Sequence, residues 1–175
     1  MAVLSQIIVN NGRMMTGLAE RMLAGVKPEQ FARSPRIGGE VVNANHPAFN
    51  YGHLSLYPAR LLEMAGLDPA EAKTPDGYMD LFKNGVECRD DPEGTIYPSM
   101  EEIVSVFRKS HEAALHAYES LPDDKLNRPN PMGGRMTEML PTVAHAATFL
   151  LGPHLAMHLG QVSTWRRCMG LGPAM

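Results

Sequence analysis

The chain contains, at residues 152–167, the sequence GPHLAMHLGQVSTWRR. Its two histidines, His154 and His158, are four residues apart, so in a helix their rings lie one above the other on the same face. Val162 and Trp165 fall on this broad face, which predicts that the pair points into the protein. Two unpaired imidazoles would be costly to bury there. A metal ion or a dense set of hydrogen bonds must therefore satisfy them.

A second segment with an inward histidine is NHPAFNYGHLSLY, at residues 45–57. At about 100° per residue, a helix here places His53 on an apolar face close to Phe49, Leu56 and Tyr57. Taken alone, a histidine in such a place is more often a hydrogen-bonded core residue than a metal ligand. Beside the pair on the later helix, it completes a set of three facing imidazoles.

The set His53, His154 and His158 predicts one divalent metal ion, because imidazole nitrogens bind such ions at about 2.0–2.2 Å. Zinc, nickel and ferrous iron all suit nitrogen ligands. Three ligands leave positions open for water or substrate, which is typical of a catalytic site. Water bound to the metal would have a lowered pKa and could act as a nucleophile; alternatively, the metal could hold a substrate thiolate or carbonyl.

Two further residues are candidates for a supporting role. His111 faces inward on the third helix. It could be a fourth ligand, a hydrogen-bond donor to a ligand, a substrate contact or a plain core residue. Gln161, one turn beyond His158, could orient a ligand or the metal-bound water, and helix packing explains it equally well. The other three histidines are predicted to lie away from the site. His116 falls on the polar face of the third helix, and His145 lies on the side of its helix opposite the pair. His46 is about 10 Å from His53 along the helix axis.

Four helical segments are predicted from the 3.6-residue apolar period: Leu4 to Ala24, Pro47 to Gly66, Ser99 to Leu121, and Thr137 to Met169. The third begins with a capping box, in which Ser99 and Glu102 each satisfy a backbone N–H. Pro58 should kink the second segment, and Gly152-Pro153 should interrupt the fourth.

The connections between these segments are long. Arg33 to Asn45 is predicted to be a loop, and residues 67–98 a long connection with a short helix from Gly77 to Lys83. No segment shows a useful strand period. We therefore expect residues 1–175 to form one domain, an all-α four-helix bundle with crossover connections.

Composition and charge exclude several kinds of partner. The net charge of -3 gives no basic field for a nucleic-acid backbone. No run reaches the roughly 18 apolar residues of a membrane span, and the first residues lack the pattern of a signal peptide. Cys88 and Cys168 are too few for a disulfide framework, so the cytoplasm is the expected compartment.

The histidine on the second helix and the HxxxHxGQ pattern on the fourth resemble the DinB-like superfamily over nearly the whole chain. The resemblance implies an up-down-down-up bundle, a metal site carried onto His53, His154 and His158, and frequent homodimers. It also implies metal-dependent transferases and isomerases that use low-molecular-weight thiols such as bacillithiol, mycothiol or glutathione. Leu155, where many family members carry an acidic residue, and Pro153 before the motif depart from the family pattern.

Three functions follow as hypotheses: an S-transferase that joins a thiol to a small electrophile, a metal-dependent hydrolase, and a non-catalytic dimeric bundle with an unknown ligand. The first two need a small-molecule substrate at the open site. Arg166 and Arg167 could meet an anionic thiol cofactor, although arginines at a helix end are usually solvated charges. Trp165 is expected in the core, and Cys168 is not expected to act as a nucleophile.

Overall fold

The computed structural model describes residues 3–174, and helices account for most of them. Among the described residues there are ten α-helices and one short 3-10 helix (Ala70–Ala72): α1 (Val3–Met22), α2 (Pro28–Phe31), α3 (Pro47–Ser55), α4 (Tyr57–Met64), α5 (Tyr78–Phe82), α6 (Met100–Glu119), α7 (Asp123–Leu126), α8 (Gly134–Met139), α9 (Val143–Leu151) and α10 (Pro153–Cys168). Within this range strands are limited to β1 (Arg36–Ile37) and β2 (Glu40–Val41). The all-α class predicted from the sequence is confirmed.

The long helices pack side by side around two neighbouring cores. Helix α1 packs against α6, α9 and α10, and the α3–α4 segment packs against α6, with α3 also against α10. Helix α6 begins after Ser99, as predicted, because the Ser99 hydroxyl accepts a hydrogen bond from the Glu102 N–H at 3.2 Å. The predicted return bond from the Glu102 side chain to the Ser99 N–H is not among the hydrogen bonds of the described residues. The up and down order of the helices stays a prediction.

The second segment is broken at Leu56, between α3 and α4. Pro58 has no N–H to donate and its ring crowds the carbonyl one turn earlier, so a continuous helix cannot pass this point. The Leu56 N–H bonds instead to the His53 carbonyl at 3.2 Å. The kink predicted at Pro58 is confirmed.

The fourth segment is broken twice, once where predicted and once where not. The predicted break at Gly152-Pro153 separates α9 from α10. A side chain at position 152 would come within 2.2 Å of the Asn11 amide, so glycine is needed for α1 to approach. The predicted start at Thr137 is wrong, since Thr137 lies in the separate helix α8 and α9 begins only at Val143. Pro141 explains this, because it disfavours helical geometry in the residue before it.

The predicted loop from Arg33 to Asn45 contains the small hairpin of β1 and β2, which the sequence did not reveal. Arg36 pairs with Val41, and Ile37 pairs with Glu40. Gly38 and Gly39 both have positive φ, at 59° and 92°, which suits a two-residue hairpin turn. Two residues per strand are too few to show an alternating pattern.

Two hydrophobic clusters form the core, and they meet where the second and fourth segments are broken. On the second segment, Leu54 belongs to one cluster and Leu61 to the other. On the fourth, Leu155 and Leu151 are divided in the same way. The two breaks therefore lie at the same level of the protein. None of the helices between residues 3 and 174 is long and apolar enough to cross a lipid bilayer.

The C-terminal part of α10 anchors the end of α1. Trp165 is fully buried, as predicted, and its indole N–H donates to the Arg33 carbonyl at 2.8 Å. The expectation of a solvated Arg166 is wrong, because its guanidinium is buried and donates to the Met22 and Ala24 carbonyls. These carbonyls end α1 without helical partners, so the arginine satisfies them. Arg167 is exposed, as predicted.

Candidate metal centre

Three histidine rings come together at the level of the two helix breaks. The ring centroids of His53 and His158 are 4.7 Å apart, those of His154 and His158 4.9 Å, and those of His53 and His154 5.5 Å. One nitrogen from each ring lies within 4.8 Å of the other two. Helix α3 supplies the first ring and the opening turns of α10 supply the other two. This spacing is one that a single metal ion could bridge.

Hydrogen bonds fix the orientation of two of the rings. The His53 Nδ1–H donates to the Phe82 carbonyl at 2.7 Å, and the His158 Nδ1–H donates to the Asn50 side-chain oxygen at 2.8 Å. Because both partners are acceptors, Nδ1 carries the proton in each ring and Nε2 is unprotonated. This outer bonding is the arrangement that metal-binding histidines commonly have.

The third ring, His154, has an unsatisfied nitrogen. Its Nδ1 is buried and has no hydrogen-bond partner among the described residues. Burial, together with the nearby rings of His158 and His53, lowers the pKa of His154 to about 3. Burial and the neighbouring His53 likewise lower the pKa of His158 to about 4.

The protonation and hydrogen bonding of the three rings fit a metal ion. Burial also lowers the pKa of His53, so all three imidazoles are neutral at pH 7 and their lone pairs meet little competition from protons. A buried polar nitrogen without a partner is costly unless something satisfies it. Three neutral nitrogen donors of this kind suit a divalent ion of borderline softness.

Two supporting residues were missed by the sequence reasoning. Asn50 lies one turn before His53, and besides accepting from His158 it donates its amide to the carbonyls of Asn45 and His46. Its i, i+3 spacing from His53 was a signal that could have identified it. The Phe82 carbonyl left no such signal, because a backbone atom from a separate connection carries the contact.

Helix α5 approaches α3 closely enough for this contact because residue 52 is glycine. A Cβ at Gly52 would lie only 2.5 Å from the Phe82 ring. The predicted short helix at residues 77–83 is confirmed as α5. Its last residue, Phe82, is fully buried against Phe49 and Tyr97. The connection between the second and third long segments therefore holds one of the three imidazoles in place.

Tyr57 also lies at the triad, although the sequence placed it only on an apolar face. Its ring centroid is 4.5 Å from that of His154 and 5.1 Å from that of His53. Its hydroxyl is 3.1 Å from His53 Nε2. The tyrosine, like His158, is only half-buried, so the triad is accessible from this side.

The remaining histidines lie outside this group. His111 is 1% exposed, packs against the Phe107 ring at a tilt of 38° and donates its Nδ1–H to the Phe107 carbonyl at 2.8 Å. Burial lowers its pKa to about 4, but its ring is not part of the converging set. His46 caps α3 by accepting from the Phe49 N–H. His116 and His145 are exposed, as predicted.

Gln161 lies beside the triad, where its side chain hydrogen-bonds to His158 and opposes the lowering of that ring's pKa, whereas neither cysteine belongs to the converging set. The Gln161 side chain is exposed and accepts a hydrogen bond from the Asn45 amide at 3.3 Å. Burial raises the pKa of the Cys88 thiol to about 11, so this thiol is protonated at neutral pH. Cys168 is the last residue of α10, more than two turns beyond His158. The candidate centre therefore consists of the three histidines, with Tyr57 beside them.

Comparison with known protein families gives one clear match. The model of the DinB superfamily matches residues 13–162, a range that includes all three converging histidines. Comparisons with curated proteins and with solved structures returned no significant match. Because the matched range covers most of the 175 residues, the chain belongs to the DinB superfamily.

Proposed function

We propose that the protein is a metal-dependent enzyme in which His53, His154 and His158 hold one divalent ion, either zinc, nickel or iron. The observation that carries the proposal is the bonding of the three rings. In two of them Nε2 is unprotonated, because their Nδ1–H groups bond to Phe82 and Asn50. The third carries a buried nitrogen without a partner among the described residues.

The reaction we propose is S-transfer, in which a low-molecular-weight thiol attacks a small electrophile. A divalent ion held by three imidazoles acts as a Lewis acid toward a thiol or a carbonyl group. The chain supplies the orientation, since Asn50 and the Phe82 carbonyl hold the rings in place. Neither Cys88, whose pKa is raised, nor Cys168 stands at the triad, so the attacking thiol comes from a separate molecule. Membership of the DinB superfamily supports this choice.

The wider setting is part of the same proposal. We propose that residues 1–175 form a single domain with the up-down-down-up helix order of a DinB-like four-helix bundle. The protein acts on a small molecule in the cytoplasm, as a homodimer. Two free cysteines, Cys88 and Cys168, support a reducing compartment.

The proposal is tested with untagged protein whose metal content is measured by mass spectrometry. Glutathione, bacillithiol and mycothiol are each supplied with 1-chloro-2,4-dinitrobenzene, and formation of the thioether is followed by absorbance. In this reaction a C–S bond forms, chloride leaves and the thiol proton passes to solvent. We expect turnover with at least one thiol, and its loss in His158→Ala.

His145→Ala is the matched control, because His145 is an exposed histidine on the adjacent helix α9. It should retain both the metal and the turnover. Metal-loaded protein that transfers no thiol to any electrophile of a broader panel would contradict the S-transferase proposal. Hydrolysis of ester substrates that depends on His158 would instead identify a hydrolase. Protein without bound metal would favour a non-catalytic bundle.

A further inference from the structure

Tyr57 occupies a position that the helix break creates. Pro58 ends α3 and makes Tyr57 the first residue of α4. The tyrosine ring stands edge-on to both His53 and His154, with centroids 5.1 and 4.5 Å away. The ring of Tyr57 is therefore held beside the triad by backbone geometry and by contact with two of its members.

The hydroxyl of Tyr57 is bonded to the nitrogen that a metal ion would need. The Nδ1–H of His53 donates a hydrogen bond to the Phe82 carbonyl, so Nε2 is unprotonated and can only accept. The Tyr57 hydroxyl, 3.1 Å from Nε2, is therefore the donor. A single lone pair cannot serve both a metal ion and this hydrogen bond.

We propose that Tyr57 is a substrate-binding residue of the triad, whose hydroxyl leaves His53 Nε2 when metal binds and then donates a hydrogen bond to the substrate. The inference rests on the proposed metal-dependent function. Its physical basis is the cost of an unpaired polar group, because a half-buried hydroxyl that loses its acceptor must find another. The substrate or an ordered water is the acceptor available at the site.

A cavity that Tyr57 lines indicates the class of substrate. This cavity has a volume of about 180 Å³ and is also lined by Leu56, Arg60, Met79, Lys83 and Asn84. Arg60 makes no ion pair among the described residues, and Lys83 makes one to an exposed Asp80 at 3.6 Å. The two cations that line this cavity favour an anionic oxygen group such as a carboxylate. A volume of about 180 Å³ is large enough for such a group.

The first test uses zinc alone and protein labelled with 3-fluorotyrosine. The chain has five tyrosines, and Tyr57 is the one bonded to the triad among them, so zinc should shift one 19F resonance. That resonance should be missing from Tyr57→Phe. The variant should bind zinc as tightly as the wild type or about two- to tenfold more tightly, because a competing hydrogen bond has gone.

Tyr118→Phe is the matched control. It removes the hydroxyl of a buried tyrosine that donates to the Leu61 backbone carbonyl and not to a histidine. Its zinc affinity should equal that of the wild type, and its spectrum should keep the zinc-sensitive resonance. Zinc binding that leaves all five resonances unmoved would overturn the inference while leaving the metal site intact.

The second test adds succinate to the zinc-loaded protein and measures its affinity by calorimetry. Tyr57→Phe and Arg60→Gln should each weaken succinate binding about tenfold, which corresponds to one hydrogen bond to a charged group. The affinity for neutral succinamide should differ less between the wild type and Arg60→Gln than the affinity for succinate does. Equal succinate affinity in the wild type and Tyr57→Phe would overturn the inference. Failure of the wild type to bind zinc would overturn the proposed function, and this inference with it.

Discussion

At the scale of single residues, the orientation of the triad depends on groups outside it that hydrogen-bond to its rings. In His53 and His158, Nε2 is unprotonated because Nδ1 on the same ring carries the proton and donates a hydrogen bond to an oxygen outside the triad. For His53 this oxygen is the Phe82 carbonyl, and for His158 it is the side chain of Asn50. The tautomer and the angle of the ring are therefore set by residues in the surrounding shell of protein.

Asn50 provides a test at this scale. Asn50→Ala removes the acceptor of the His158 Nδ1–H, and we expect zinc affinity to fall about 10- to 100-fold, measured by calorimetry. Asn50→Asp keeps an acceptor oxygen and should retain most of the affinity. Both variants lose the amide bonds to the Asn45 and His46 carbonyls, so the comparison isolates the bond to His158. Equal losses in the two variants would contradict the role of that bond.

The histidine spacing was readable from the sequence, whereas the outer bonds were not. His154 and His158 are four residues apart in one helix, and this alone places their rings on one face. The Phe82 carbonyl comes from a separate connection, and a backbone atom has no sequence signature. Tyr57 appeared only as an apolar neighbour of His53, because the direction of its hydroxyl depends on the break at Pro58.

At the scale of helices, two interruptions form the site. The second segment breaks at Leu56 and the fourth at Gly152, and the three imidazoles lie within a few residues of these points. The prolines that cause the breaks were visible in the sequence. The burial of Arg166 was not, because the free carbonyls at the end of α1 lie more than 140 residues away in the chain.

Gly52 tests the contact between α3 and α5. A Cβ at this position would lie 2.5 Å from the Phe82 ring, so Gly52→Ala must push α5 away. We expect the free energy of unfolding to fall by about 1–3 kcal/mol in urea titrations. Zinc affinity should fall too, because the Phe82 carbonyl moves away from His53.

Gly160→Ala is the control for that substitution. Residue 160 lies in α10, and a Cβ there meets no atom within 4 Å. This change should stabilise the protein by roughly 0.5–1 kcal/mol, since alanine is the better helix former. If Gly52→Ala were as well tolerated as Gly160→Ala, the close approach of α5 would not be required.

At the scale of the whole molecule, burial makes the site ready for metal over a wide pH range. Histidines with an ordinary pKa near 6.5 would each be mostly protonated at pH 5.5, and three of them would weaken metal binding by up to roughly a thousandfold. Burial lowers the pKa of His154 to about 3 and of His158 to about 4. We therefore expect zinc affinity to fall by at most about tenfold between pH 7.5 and 5.5. This upper limit is the loss that His53 would cause if its pKa were as high as the ordinary value near 6.5.

The same shifts give the metal-free protein a definite pH dependence. The pKa of each of these rings is lower in the folded chain than its unfolded value near 6.5, so the unfolded chain takes up protons first as the pH falls. Stability is full above about pH 6.5 and declines as the pH falls toward the folded pKa values of about 4 and 3. Urea titrations from pH 7.5 to 4.5 should show this decline, and His158→Ala should reduce its slope.

Calorimetric titration of untagged, metal-free protein with zinc at pH 7.5 tests the three-histidine centre most directly. The wild type and His145→Ala should each bind one equivalent of zinc per chain. His158→Ala should lose affinity by more than the roughly 10- to 100-fold expected when an outer hydrogen-bond partner is removed. Absence of binding by the wild type, or equal binding by His158→Ala, would contradict the metal centre.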